Sequence, residues 1–407
     1  MCSLSPTGAA SPDQLDPWVF PPDTNAIPED QYVDLEVLDI SAFNVPDELV
    51  PGRASDTLLE SHKELITRAF EAFRTIGFVA IKGHGLSHDD IRHQFNIGKL
   101  LNYGVSEEEK RTLHAQIWEG SWAGYKPQGY YNRPDGAFDY VEHYDLYPWT
   151  ALRSRMPNIG QRLLKDIRQF IEHNHFIILR KILAILSLGL GLEIDTLWKI
   201  HHRGGVLDKG VLIDAPADHV KWQHTKDHLR YAMYHPPTEE DRIKRKYLWV
   251  PGHTDLGSVT FLYSQPIAGL QILTAPDEWR YVRHYPDHII VDLGDSIEFL
   301  TGGILKASPH RVIEPPEDQR HLDRLGIFYF VPFLGDTVLK PIDHPSIHKF
   351  GIKDFFEEYY ALGGQPITAE EWLVERSKLV GKKRTKRERK EPRDVLEDVH
   401  FRYNPSS

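Results

Sequence analysis

The chain is nearly devoid of cysteine, with one thiol, Cys2, in 407 residues. No disulfide can form within it, and a reducing compartment such as the cytoplasm is expected. It has no run of about 18 apolar residues, so no membrane span is expected. Met1 to Ser11 lack a basic segment followed by an apolar one, which argues against a secretory signal. Positive charge is not in excess either. Lys and Arg number 48 against 59 Asp and Glu, a formal charge of −11, which argues against general nucleic-acid binding by the main body. No internal repeat is visible. What remains, 41% hydrophobic and 26% charged residues, suits a globular protein with a sizeable core, in one large domain or two ordinary ones.

The texture changes along the chain. Residues 1–32 are rich in Pro, Ser and Asp and read as a loose arm. In region 33–155 a short strand is expected at Leu35–Ile40 and a helix at Leu58–Ile76. Ile66, Ala69, Phe70 and Phe73 recur at helical spacing on one face of that helix. Phe78–Ile81 reads as a buried strand. Ser87/Asp90 and Ser106/Glu109 have the spacing that caps helix starts. The Gly-, Tyr-, Trp- and Pro-rich stretch 120–150 reads as long loops with a few short strands. Region 156–224 opens with a long helical pattern that Gly189 and Gly191 break. Region 225–336 consists of short β-rich runs between Gly, Pro and Asp turns, the pattern of a closed or double-sheet all-β core. Region 337–407 carries a basic tail, 376–393, with Lys382, Lys383, Arg384, Lys386, Arg387, Arg389 and Lys390. The simplest expectation is a solvated charged tail whose deletion leaves catalysis intact. A nuclear-targeting or anionic-partner contact is the other reading.

His253 and Asp255 carry the chemistry. On a β-strand, positions i and i+2 share a face, so one strand can present both side chains to one ion. His310, 55 residues after Asp255, is placed to bring a third ligand on another strand. Two imidazoles and a carboxylate on one face of an octahedron form the triad of non-heme Fe(II) oxygenases, with three positions open. The spacing alone is weak, because His88/Asp90, His143/Asp145 and His321/Asp323 share it. Asp90 belongs to a helix cap, His143/Asp145 to an aromatic loop and His321/Asp323 to a charged loop. Context singles out the first pair. Leu256-Gly257-Ser258-Val259-Thr260-Phe261 follows Asp255. Val291-Asp292-Leu293-Gly294-Asp295 precedes His310-Arg311-Val312, and Arg324-Leu325-Gly326-Ile327-Phe328 closes the series.

Together with Gly77-Phe78-Val79-Ala80-Ile81-Lys82-Gly83-His84-Gly85 and Ser106-Glu107-Glu108-Glu109-Lys110, this series resembles the Fe(II)/2-oxoglutarate-dependent oxygenase superfamily, in its isopenicillin N synthase-like branch. The resemblance runs from about Leu35 to Pro332. It implies a mainly β fold with flanking helices around a distorted double-stranded β-helix, or jelly roll. Region 33–155 would be the N-terminal oxygenase region, 156–224 a helical linker and 225–336 the oxygenase barrel. It also implies Fe(II) held by His253, Asp255 and His310, with 2-oxoglutarate as cosubstrate and O2 as oxidant. Arg324 would pair with the distal carboxylate of 2-oxoglutarate and Tyr234 would support it. The family usually has Arg-X-Ser, whereas Gly326 stands here in place of the serine. The implied reaction couples decarboxylation of 2-oxoglutarate to oxidation of a C–H bond in a small metabolite, by hydroxylation, desaturation or ring closure, as in secondary metabolism. Trp122, Tyr125, Tyr130, Tyr131 and Tyr144 either line the substrate pocket or pack loops on the core. Competing readings are an oxidase that does not use 2-oxoglutarate, a zinc hydrolase, and a non-catalytic small-molecule receptor on the same fold.

Overall fold

The computed structural model describes residues 15–46, 53–131, 136–147, 155–201, 226–379 and 391–400. The basic cluster from Lys382 to Lys390 lies outside these residues. The described strands are β1 (Glu36–Asp39), β2 (Phe78–Lys82), β3 (Gly124–Lys126), β4 (Val141–Leu146), β5 (His228–Tyr234) and β6 (Leu248–His253). They continue as β7 (Val259–Tyr263), β8 (Leu270–Ala275), β9 (Glu278–Tyr281), β10 (Ile289–Leu293), β11 (His310–Ile313) and β12 (Arg324–Val331). Eight of them form one sheet in the order β1-β2-β10-β7-β12-β5-β4-β3, and four form a second in the order β6-β11-β8-β9. Among the described strands, only β1 and β2 pair in parallel.

Side-chain alternation divides the large sheet into two faces. On one, Leu229, Tyr231 and Met233 of β5 and Leu325, Ile327 and Tyr329 of β12 join helix residues such as Phe73, Phe170 and Leu186 in one continuous core. Each large apolar side chain buried there contributes roughly 1.5–3 kcal/mol. The opposite face meets the small sheet in two smaller clusters. Phe78, Leu262 and Ile290 pack on Leu270, Ile272 and Val282, and Ala232 and Tyr234 pack on Trp249 and Val312. The inner positions outside these clusters include Arg230, Thr260, Asp292 and Arg324, all polar.

The helix Lys63–Thr75 buries Ile66, Ala69, Phe70 and Phe73, the four positions expected from their spacing. Ser87 and Asp90 form a reciprocal cap, and the Ser106 hydroxyl accepts from the Glu109 amide. Three expectations need correction. First, Leu15 to Gln31, read as part of a loose arm, lies against the helix His88–Tyr103 and the segment that carries Arg283 and His284. The Trp18 amide donates to Asn96 at 2.7 Å, and Phe20 meets Phe95 edge-on at 4.8 Å. Two aromatic anchors are enough to dock a Pro-rich segment that loses little entropy on ordering. Second, His143 and Asp145 are in strand β4, paired between β3 and β5, rather than in a loop. Third, the start of the basic tail is not a free solvated segment. Residues 376–379 complete the helix Ala369–Leu379, which buries Trp372, Arg376 and Ser377. The i, i+4 spacing of Trp372 and Arg376 places them together on the face that packs inward.

Candidate metal centre

His253 ends β6 and His310 begins β11, and the two are directly paired across these antiparallel strands. Their ring centroids lie 4.4 Å apart. Asp255 lies beyond the end of β6 rather than on it, but the chain keeps its alternation. Thr254 turns away, its hydroxyl donating to Asp295 Oδ1 at 2.8 Å, and Asp255 returns to the side of the histidines. His253 Nε2 and His310 Nε2 are each 3.7 Å from Asp255 Oδ1. Among the described residues these three form the one group of His, Cys, Asp or Glu that could hold a metal ion, with ligand atoms all within 4.8 Å.

The hydrogen bonds behind the ligands fit metal binding. His253 Nδ1 lies 2.9 Å from the Pro251 carbonyl and His310 Nδ1 lies 3.3 Å from the Ser308 carbonyl. A carbonyl can only accept, so each Nδ1 carries the proton and each Nε2 presents a lone pair to the centre. Desolvation by the barrel wall, reinforced by the facing His310 imidazole, lowers the His253 pKa to about 4, although one edge of its ring remains open to solvent. His253 is therefore neutral and able to ligate at neutral pH. Burial opposes ionisation of Asp255, but His310, His253 and the Thr260 hydroxyl, which donates to its Oδ2, hold its carboxyl below the usual range.

The turn that carries Asp255 is tied to the start of the helix Asp295–Leu300. The Asp295 amide donates to the Asp255 carbonyl at 2.8 Å, the Ser296 amide to Gly257 O at 3.0 Å and the Ser296 hydroxyl to Leu256 O at 2.7 Å. The approach is close enough that a side chain at Gly294 would meet Gly257 O at 2.4 Å and Asp255 O at 2.9 Å. Asp292, on the inner face of β10, faces Asp255. Burial and that neighbouring charge push its carboxyl well above the usual range.

Arg324 and Tyr234 are paired across β12 and β5. The guanidinium lies 5.3 Å from the Tyr234 ring centroid, and that ring stacks on Trp249 at 6.0 Å. Arg324 is 4% exposed. Its Nε donates to the Ile267 carbonyl at 3.2 Å, and its Nη1 is buried without a protein partner. A buried guanidinium nitrogen without a protein partner fits a carboxylate ligand. A cavity of about 490 Å3 between the arm and the 264–270 segment has Arg324 in its wall and none of the three metal-site residues. The Gly326 departure also has a structural counterpart, since a Cβ there would meet the Phe328 ring at 2.6 Å. The aromatic ring fills the space of a serine side chain.

Beside Arg324, a partly buried ionic network ties the barrel rim together. The His235 ring lies 2.9 Å from Asp323 and 2.8 Å from Glu142. Tyr103 donates to Asp323, and Lys110 and Tyr125 donate to Glu142. On the inner face of β4 and β5, Arg230 grips both oxygens of Asp145 at 2.6 and 2.8 Å. Its guanidinium is held between the rings of Trp122 and Phe330, 5.0 and 4.7 Å from their centroids. Among the aromatic candidates, Tyr125 and Tyr144 belong to the helix-side core, and Tyr130 stacks on Trp118. Trp122 is on the inner side, stacked on His143 at 6.1 Å. The Tyr131 hydroxyl is buried without a partner.

Sequence reasoning missed Thr260, Asp292, Asp295, Arg230 and Arg376. For Thr260 and Asp292 the signal was present, as single polar residues inside otherwise apolar strands. The other pairs at His-X-Asp spacing are not assembled into a metal cluster among the described residues. Asp323 is in the rim network, and His143 and Asp145, 3.4 Å apart, are buried beside Arg230.

Two facing sheets with a two-histidine, one-carboxylate cluster between their ends define a mononuclear metal-dependent barrel protein. Comparison with known proteins specifies which. The family model for the 2OG-Fe(II) oxygenase superfamily matches residues 226–331, and that for the N-terminal region of the non-haem dioxygenase in morphine synthesis matches 36–169. The chain is 31% identical over 215 residues to a 2-oxoglutarate-dependent dioxygenase of Gibberella zeae, spanning 53% of this chain and 57% of that protein. It is 27% identical over 253 residues to flavonol synthase 1 of Crocosmia x crocosmiiflora, spanning 61% of this chain and 68% of the relative. The full-length Neurospora crassa T7H in complex with alpha-KG and thymine shares the fold, with a TM-score of 0.65 and 19% identity over 87% of this chain and 99% of that one. The chain belongs to the 2OG-Fe(II) oxygenase superfamily, with its jelly-roll fold. It is a 2-oxoglutarate/Fe(II)-dependent dioxygenase, an oxidoreductase that uses O2. No helix of the described residues is long and apolar enough to cross a membrane.

Proposed function

We propose that His253, Asp255 and His310 hold the catalytic Fe(II), that Arg324 and Tyr234 hold the distal carboxylate of 2-oxoglutarate, and that the substrate is a small organic metabolite oxidised at a C–H bond. The observation that carries this reading is the convergence of two imidazole lone pairs and one carboxylate, each backed by a hydrogen bond of its own. When bound, the iron and 2-oxoglutarate supply the oxidising power for C–H cleavage, with succinate and carbon dioxide as the cosubstrate's products.

The chain's own residues position and insulate. Thr260 and Asp292 orient the Asp255 carboxylate, so that one oxygen faces the histidines. The buried guanidinium of Arg324 orients 2-oxoglutarate by a charge-assisted contact. Trp122, Phe330 and Tyr131, around the Arg230–Asp145 pair, form a wall suited to a flat ring compound with one polar edge. The thymine complex of the Neurospora crassa neighbour and the flavonol synthase relative are consistent with a ring-bearing substrate. Anaerobic reconstitution with Fe(II) and 2-oxoglutarate, then oxygen and a metabolite panel, tests the reading. Succinate release that depends on one ring-bearing compound is expected. Substrate oxidation that proceeds without 2-oxoglutarate would overturn the cosubstrate assignment.

A further inference from the structure

We infer that the C-terminal helix Ala369–Leu379 is a working part of the metal site, and that Arg376 is a positioning residue for the His253-Thr254-Asp255 triplet. This rests on the assignment of His253 and Asp255 as iron ligands.

The geometry runs through Thr254, the residue between the two ligands. Arg376 Nη2 donates to the Thr254 carbonyl at 3.1 Å and to its hydroxyl oxygen at 3.3 Å. It also lies 3.2 Å from Asp295 Oδ2. The other oxygen of Asp295 accepts from the same Thr254 hydroxyl, and the Asp295 amide donates to the Asp255 carbonyl. Arg376 and Asp295 therefore close a ring of contacts around the segment joining the ligands, and both are buried. The helix is fixed in turn by Trp372, whose indole meets Phe299 at 5.1 Å and Phe356 at 5.9 Å. Phe299 lies on the helix that Asp295 begins.

One residue further on, the same helix reaches the other wall of the site. Ser377 Oγ accepts from Trp122 Nε1 at 3.0 Å, and Trp122 covers the guanidinium of Arg230. Adjacent residues of a single helix thus hold the metal triplet and the ring that faces the inner polar cluster. A rigid support of this kind matters because displacing a ligand by tenths of an ångström weakens a metal site. An arginine suits the position, since its Nη2 reaches the carbonyl, the hydroxyl and the carboxylate together, and a guanidinium keeps its charge when buried whereas a lysine readily loses it.

The test is anaerobic Co(II) titration of the full chain, followed by the visible absorption of the bound ion. Arg376→Met is expected to weaken Co(II) binding at least tenfold and to change the absorption spectrum, with near-UV circular dichroism retained. Arg376→Lys should recover part of both. Thr254→Val, which removes the hydroxyl link alone, should cost about threefold. Wild-type affinity and spectrum in folded Arg376→Met would overturn the proposal. Should that variant fail to fold, Arg376→Met/Asp295→Asn, which removes both charges together, is read by the same two outcomes. His253→Ala separates this proposal from the one beneath it. If His253→Ala binds Co(II) as wild type does, the ligand assignment fails. If it loses the ion while Arg376→Met does not, only the role of the helix fails.

Discussion

On its helix side the eight-stranded sheet carries Tyr231, Phe261, Val291 and Ile327, none with any exposed surface. On its other side, the preceding or following positions of the same strands are Arg230, Thr260, Asp292 and Gly326. One residue of register separates the two sets. The first face is continuous with the helices and consists of groups whose burial favours folding. The second places polar groups in a low-dielectric space, where each costs stability unless it has a partner. Several are satisfied within the protein, as Arg230 is by Asp145, but the Arg324 Nη1 is not. Substitutions on the two faces should therefore separate stability from function.

The largest expected contrast compares the proposed metal ligands with the helix-side face. His253→Ala, Asp255→Ala and His310→Ala should each abolish turnover and metal binding while the melting temperature changes little. Phe261→Ala, on the helix side, should cost about 3–5 kcal/mol of stability, with the folded fraction still active. Urea unfolding beside single-turnover succinate assays would show both. A ligand variant that kept near-normal turnover at limiting Fe(II) would remove that residue from the site.

Arg324 sharpens the comparison, because it is a buried charge whose loss should not harm the fold. Arg324→Leu is expected to raise the 2-oxoglutarate requirement by a factor equivalent to roughly 2–5 kcal/mol, the cost of stranding a buried carboxylate. Stability should hold or rise, since a desolvated guanidinium is removed. Unchanged affinity for 2-oxoglutarate, measured by calorimetry with an inert metal, would place the carboxylate elsewhere.

The rim network adds a pH dependence. Burial alone would lower the His235 pKa, but hydrogen bonds to Asp323 and Glu142 raise it from 6.5 to about 9. Its contribution is therefore complete below pH 6.5 and is lost as pH rises through 9. Glu142 has the opposite sign. Burial would raise it, but His235, Lys110 and Tyr125 lower it from 4.5 to about 2. Its contribution is complete above pH 4.5 and fades as pH falls towards 2. The melting temperature should be highest between these limits, and His235→Gln should flatten the alkaline decline, worth about 1–3 kcal/mol. A decline of the same slope in that variant would point to other groups.

How much of this was legible in the sequence depends on the range of the interaction. His253 and Asp255 are neighbours, and His310 falls in a β-rich run with strong turn signals, so the cluster could be anticipated from spacing and context. The capping of Ser87 and Ser106 and the buried face of the helix at Ile66 to Phe73 are equally local. The environment of Thr254 was not legible, because it depends on a contact with Arg376 across 122 residues. The same is true of β4, whose polar His143 and Asp145 disguise a buried strand until Arg230 of β5 is seen beside them. An inner face that serves a site has the polarity of a loop, and only pairing reveals it as a strand.

The smallest expected effect concerns Gly326, on the inner face between Arg324 and Phe328. The family resemblance implies a serine there, whose hydroxyl would help hold the distal carboxylate. Here φ is not positive at Gly326, so its backbone would accept a side chain, and the obstacle is the Phe328 ring. That ring stacks on Phe330 at 5.7 Å, and moving it would disturb the wall around Arg230. Gly326→Ser alone should therefore destabilise by about 1–3 kcal/mol, the usual cost of overpacking, and should not improve affinity. Tyr234→Phe should weaken 2-oxoglutarate binding about tenfold, which corresponds to roughly 1.4 kcal/mol. Combining Gly326→Ser with Phe328→Leu makes room for the hydroxyl, and in a Tyr234→Phe background it should restore part of the lost affinity. If Gly326→Ser alone rescues Tyr234→Phe, Phe328 is mobile and steric exclusion is not the reason for glycine. If Tyr234→Phe binds 2-oxoglutarate as the parent does, the hydroxyl makes no contact that holds the ligand, and Arg324 holds the carboxylate without it.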